Sequence, residues 1–293
     1  MIRLPSTAFV RIPELATFLF LCVSFNVGRG QSVDQILAKC RASIENLTSY
    51  EYIAHYTGNF AHNFAVERRF FFARQGDAYR CDQKFELPEQ GGILPAGLFW
   101  RKGSADFRAG FDGLYYFQYD KINQLERLCS SPRCMEQVVE PFQDCFFWLT
   151  RTNSRSELLR ESRWDSFAKS CDDFVSKQLI ESHSCLIITS GPKIEGGRWE
   201  VAFGEDVGYL PVRVRNLSGD KRKPVGELLV SQYKHYRIDG VSFYFPSKFT
   251  SRSLVEGNPN TYVATLEPGT VNINRPIPSD LLRLTYDPVW FDK

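Results

Sequence analysis

Residues 66–82 read VERRFFFARQGDAYRCD, and their pattern sets the fold class. In an extended chain successive side chains point to opposite faces, so Val66, Phe70 and Phe72 fall together on one side. Gln75-Gly76-Asp77 then supplies turn residues, and a second extended run starts at Ala78. Two such runs joined by a short turn form antiparallel neighbours. The pattern continues upstream, where residues 50–57 (YEYIAHYT) put Tyr50, Tyr52, Ala54 and Tyr56 on one side. It continues downstream through residues 78–87, a loop at 88–97, and strands at 107–111, 114–119 and 124–129. Asp112-Gly113 is a hairpin signal, with Tyr115, Phe117 and Tyr119 sharing a face.

The second half of the chain repeats the alternation. Residues 185–189 (CLIIT) are short and apolar. Trp199, Val201 and Phe203 alternate, as do Leu210, Val212 and Val214. Residues 216–224 (NLSGDKRKP) form a polar hairpin tip. A longer hairpin turns at Ile238-Asp239-Gly240-Val241 and puts Val241, Phe243 and Phe245 on one face. Strands at 261–266 and 270–274 complete the sheet, and residues 277–293 form a mostly extended tail.

Two stretches have a helical period instead. Between residues 33 and 47, Ile36, Leu37, Cys40, Ile44 and Leu47 fall on one face, with Ser32 and Gln35 spaced as a capping box. Residues 132–179 carry Met135, Val138, Val139 and Phe142, then a second capping box at 154–157, then Trp164, Phe167, Cys171, Phe174, Val175 and Leu179 at helical spacing. This predicts a helical insertion over about 132–179 that covers one face of the sheet. The order helix, strands, helices, strands gives an α+β class with a large curved antiparallel sheet.

Residues 1–30 read as a signal peptide. Arg3 and Arg11 precede an apolar run at 15–25, and Gly28-Arg29-Gly30 offers small residues for cleavage. That run is shorter than a bilayer span. The expected product is a single periplasmic or secreted domain over residues 31–293. The whole chain has a formal charge of +2. Arg3, Arg11, Arg29 and Glu14 account for it, so the exported part is near neutral and gives no support to nucleic-acid binding. Seven cysteines remain after residue 30. Cys129 and Cys134 flank a turn-like segment and are the expected disulfide bond, and the odd count leaves one thiol over. No second Cys or His pair has zinc-finger spacing, so neither a metal nor another cofactor is expected.

No hydrolase, kinase, metalloprotease or dinucleotide motif occurs. His183 and Cys185 share a strand face, as a nucleophile pair requires, but a buried cysteine beside a surface histidine is the preferred reading. Asp165, Asp172 and Asp173 read as a solvated polar face. Lys221-Arg222-Lys223 reads as a solvated turn that discourages edge pairing. The chain is therefore expected not to be an enzyme.

Several segments, taken in order, resemble the superfamily of periplasmic lipoprotein-sorting proteins of the LolA and LolB type. SYEYIAHYTGNF after the first helix resembles that family's first strand, and VERRFFFARQGDAYRCD its second and third. FDGLYYFQYD resembles its Asp-Gly turn and aromatic strand. WEVAFGEDVGYLPVRVR, LLVSQYKHYRIDGVSFYFPSKFT and VNINRPIPSDLLRL resemble the later paired strands, hairpin and ending. The resemblance implies an incomplete β-barrel whose open concave face is covered by helices. It also implies a lipoprotein carrier with a role in lipid binding and transport, using an apolar cavity that accepts acyl chains, and a membrane-bound donor or acceptor protein as partner. In the family an arginine on an early strand helps hold the helical lid, and Arg68 and Arg69 both lie on the matching strand. The expected cavity lining is Val66, Phe70, Phe72, Tyr115, Phe117, Tyr119, Trp199, Val201, Phe203, Val241, Phe243 and Phe245. A buried methylene gains about 0.8 kcal/mol, so such a lining binds hydrocarbon only where side chains leave room. The alternative is an exported structural or protein-interaction module with a filled core and no ligand.

Overall fold

The structure is a computed structural model. It describes residues 31–60, 64–86, 92–93, 99–100, 104–120, 125–130, 163–191, 198–218, 223–255 and 261–283. The expected signal peptide, Cys134 of the expected disulfide, the side chain of Val66 and residues 132–162 of the expected insertion lie outside that set.

Helix α1 (Val33–Glu45) opens the described chain. Ser32 Oγ accepts from the Gln35 amide and the Gln35 side chain accepts from the Ser32 amide, so the capping box is formed as its spacing requires. Strands β1 (Ser49–Phe60), β2 (Phe64–Gln75), β3 (Ala78–Glu86), the short pair β4 (Gly92–Ile93) and β5 (Phe99–Trp100), then β6 (Ser104–Phe111), β7 (Tyr116–Asp120) and β8 (Leu125–Cys129) follow. After α2 (Arg163–Ser170) come β9 (Cys171–Ile180), β10 (His183–Ser190), β11 (Arg198–Gly204), β12 (Leu210–Ser218), β13 (Lys223–Ile238), β14 (Val241–Ser253), β15 (Thr261–Leu266) and β16 (Asn272–Ile273).

One antiparallel sheet holds all of these strands except β4 and β5. Its order is β8-β7-β6-β3-β2-β1-β15-β14-β13-β12-β11-β10-β9, with β16 pairing on the same side of β1 as β15. The sheet does not close on itself among the described residues; β8 and β9 are its two ends. The turns are those the sequence offers. Asp239 and Gly240, both at positive φ (50° and 81°), link β13 to β14.

Register assigns every strand residue to a face. The first face carries α1. Val33, Ile36, Leu37 and Cys40 pack there with Leu186, Ile188, Val201, Phe203 and Val214, joined by Phe167 of α2. Beside them on the same face lies an aromatic group built on Tyr50, Tyr52, Tyr56, Phe70, Phe72, Tyr79 and Phe245. The opposite, outer face has a patch of Phe71 and Ala73 covered by Ile277 and Leu282 of the C-terminal segment.

Three expectations are corrected here. The expected helix does not continue to residue 179. It stops at Ser170, and Cys171–Ile180 is strand β9, paired with β10 from His183↔Ile180 to Ile188↔Val175. The residues suit both periods, because an edge strand with apolar side chains on both faces lacks the alternation that marks a strand. Pairing to β10 decides the outcome. Second, Tyr115 is not on a strand. The Asp112 carboxylate accepts from the amides of Leu114 and Tyr115 at 2.8 and 2.7 Å, and this local turn holds Tyr115 in the loop, 45% exposed. Third, Phe117 and Tyr119 lie on the outer face. Phe117 is opposite Gly110, which is opposite Arg80, which is opposite Ala73. Alternation groups residues within one strand, but only register says which face a group takes.

Candidate functional site

The α1-covered face is the candidate site, and its residues arrive from both halves of the chain. Tyr50 and Tyr52 come from β1, Phe70 and Phe72 from β2, and Phe245 from β14. Their rings touch: Tyr50 to Phe245 is 5.5 Å between centroids, Tyr52 to Phe245 5.9 Å, Tyr52 to Phe72 5.6 Å and Tyr52 to Phe70 6.2 Å. These are the offset and edge-on separations aromatic rings prefer. Leu228 and Ile44 pack against both this group and the cluster beneath α1, so the apolar surface is continuous between them.

Of the expected lining residues, Phe70, Phe72 and Phe245 lie in the aromatic group. Val201 and Phe203 lie beneath α1, with Trp199 half-buried at that cluster's margin. Phe243 is buried on β14 opposite Tyr236. Val241 is at the hairpin tip and 46% exposed. Sequence reasoning did not include Tyr50, Tyr52 and Tyr56 in the lining, although their alternation was plain. Tyrosine reads as equally suited to an exposed strand, and only pairing with Phe70 and Phe72 shows that this face is the covered one.

Register also separates the two early arginines. Arg68 points to the α1-covered face, is buried, and has its guanidinium carbon 5.4 Å from the centre of the Tyr56 ring, which stacks on Tyr262. Arg69 points outward and donates through Nε and Nη2 to the Glu267 carboxylate, which also meets His55 Nε2 at 2.9 Å. The hydrogen bond from Arg69 holds the Glu267 carboxyl below its ordinary range.

Polar contacts anchor α1 and the segment before it to the sheet. Ser43 Oγ donates to the Gly208 carbonyl at 2.6 Å, Lys39 Nζ donates to the Tyr209 hydroxyl at 3.1 Å, and Gln31 donates to the same hydroxyl at 2.8 Å. All three reach the single turn between β11 and β12.

The outer face is different in kind. Glu200, Arg215, Glu227 and Arg252 sit opposite one another across β11, β12, β13 and β14, and ion pairs link each neighbour to the next. Further along, Arg80 Nε and Nη2 donate to both oxygens of Asp82 at 2.8 and 2.7 Å, and Arg80 Nη1 donates to the Leu281 carbonyl.

The Cys–His combination is present but is not arranged as a nucleophile pair. His183 Nδ1 lies 2.7 Å from Asp206 Oδ2, while the Cys185 thiol donates to the backbone carbonyl of His183 at 3.4 Å. Burial, with Asp206 adding to it, pushes the Cys185 thiol up to about 11, far from a thiolate at neutral pH. Cys40, Cys171 and Cys185 are free thiols. Asp172 lies 3.4 Å from Arg198, as a surface carboxylate would.

No protein-family model and no curated protein matches the sequence. Solved structures do match. A DUF1329 family protein from Desulfovibrio piger aligns with TM-score 0.53 at 13% identity, over 86% of this chain and 97% of its own. A putative outer membrane lipoprotein-sorting protein domain from Vibrio parahaemolyticus aligns with TM-score 0.51 at 10% identity, over 84% and 95%. The chain has the LolA/LolB-like fold. The open antiparallel sheet is consistent with an incomplete barrel.

Proposed function

We propose that this protein is an exported, non-enzymatic carrier of lipid or lipoprotein acyl chains, held between the sheet and α1 in the periplasm. The observation that carries the reading is the continuous apolar face under α1, which runs from the Tyr50–Phe245 aromatic group to the Val201–Phe203 cluster. Polar contacts fasten its cover at the Gly208–Tyr209 turn. A hydrocarbon tail gains free energy in proportion to the apolar area it loses to such a surface. It enters as α1 lifts about the Gly208–Tyr209 turn and the exposed apolar faces take the chain in place of each other. Phe70, Phe72, Val201, Phe203, Phe243 and Phe245 are the lining residues of this reading, and Arg68 is the polar group at its margin.

One observation favours a second reading, a protein-interaction module with a filled interior. The five rings at the centre are already in mutual contact and fully buried. Native mass spectrometry and lipid extraction of the purified protein separate the two, together with titration of a fluorescent fatty acid. The carrier reading expects co-purifying lipid or saturable uptake that an excess of unlabelled fatty acid displaces. Protein that arrives without lipid and takes up no probe would leave the interaction module standing.

A further inference from the structure

The sheet ends at β9, whose ten residues pair with β10 and, among the described residues, with no other strand. An edge strand presents free N–H and C=O groups, so soluble proteins keep such strands short, charged or covered. β9 is long, and it shows large apolar side chains on both faces. Phe174 is 75% exposed and Leu179 is 72% exposed. Val175 is opposite Ile188, which lies beneath α1, so Val175 and Leu179 point to the α1-covered side while Phe174 and Ile180 point to the outer side.

We propose that β9 is a homodimerisation edge, pairing antiparallel with β9 of a second copy about a two-fold axis at Lys177. A strand related to itself by that axis pairs residue 175 with 179 and residue 174 with 180. Leu179 of each copy then meets Val175 of the other on one face, and Phe174 meets Ile180 on the other face, so both exposed apolar side chains are covered. Ser176 meets Gln178, a polar pair. Lys177 meets Lys177, but each is already bonded to Glu205 at 2.6 Å, so two lysines and two glutamates alternate at the axis. Other even registers leave Phe174 or Leu179 against a polar or charged residue or without a partner on β9. Pairing the other sheet end, β8, with β9 is head-to-tail and builds rings or filaments, whereas β9 on β9 closes as a dimer. Seven paired residues span about 24 Å. Interfaces that small are weak, so the dimer forms with rising concentration.

Sedimentation equilibrium of the purified protein over a concentration series tests this, read beside Phe174→Lys, Leu179→Lys and Leu128→Lys, the last on β8. The proposal expects a monomer–dimer equilibrium that both β9 variants shift toward monomer at least tenfold and that Leu128→Lys leaves unchanged, with all circular dichroism spectra alike. Ser176→Cys with Gln178→Cys is expected to give an intermolecular disulfide on oxidation. A protein that stays monomeric throughout, or a dimer that survives both β9 variants, overturns it.

Discussion

At the scale of single residues, the Arg80–Asp82 pair is the most exacting feature of the molecule. Both side chains are essentially inaccessible, at 1% and 0% exposure, and they meet through two parallel hydrogen bonds. Removing one member of a buried pair leaves an uncompensated charge, which costs about 3–5 kcal/mol, whereas replacing both with apolar residues is often neutral. Asp82→Asn is therefore expected to lower unfolding stability by about that amount in urea titration. Arg80→Met combined with Asp82→Leu is expected to recover most of it. Little of this was legible beforehand. Arg80-Cys81-Asp82 reads as a strand with two polar positions facing water, and only the return of the C-terminal segment over Phe71 and Ala73 buries that face. The aromatic positions fared otherwise. Phe70, Phe72 and Phe245 were legible because large rings at period two have few uses except a covered face.

At the scale of elements, Glu267 joins three pieces. It follows β15, receives two hydrogen bonds from Arg69 on β2 and meets His55 on β1. The Arg69 hydrogen bond is the main reason its carboxyl titrates below the ordinary value of 4.5. A depressed native value means that the unfolded chain takes up the proton first on acidification. The stabilisation is thus complete well above pH 4.5 and is lost as pH falls through the unfolded value toward the native one. Urea midpoints measured from neutral pH down to about pH 3 are expected to fall less steeply for Glu267→Gln than for the parent protein. If the two curves are parallel, Glu267 is not the group responsible. The turns between β2 and β3 and between β13 and β14 were legible, because Gly76 and Asp239-Gly240 mark them by backbone conformation, while the far ends of β1 and β14 run three and four residues beyond the expected 57 and 249. β9 was not, since its apolar residues serve two faces and fit a helical spacing equally well.

At the scale of the whole molecule, the C-terminal segment acts as a clasp over the outer face. Ser49 Oγ donates to the Arg275 carbonyl, the Ile277 amide donates to the Gln75 side chain, and Arg80 holds the Leu281 carbonyl. A chain ending at Asn274 bares Phe71, Ala73 and the Arg80–Asp82 pair together. It is expected to unfold at a lower temperature, by differential scanning calorimetry, than Asp82→Asn alone. An unchanged transition would show that these contacts add nothing to stability. The fold class and the grouping of side chains into alternating strips were legible from pattern. The choice of which strip faces inward was not, because it is a property of strand pairing over long distances.

One of those pairings governs the order of assembly. Residues 49–129 and 171–266 can each zip up by local hairpins, but β1 meets β15 only across roughly two hundred intervening residues, a loop whose closure entropy must be met in one step. A chain delivered from its first residue onward therefore holds a finished half-sheet with a bare inner seam, Ala54 to Asn59, until its final tenth arrives. Until then that seam is an open edge to which any other strand can add.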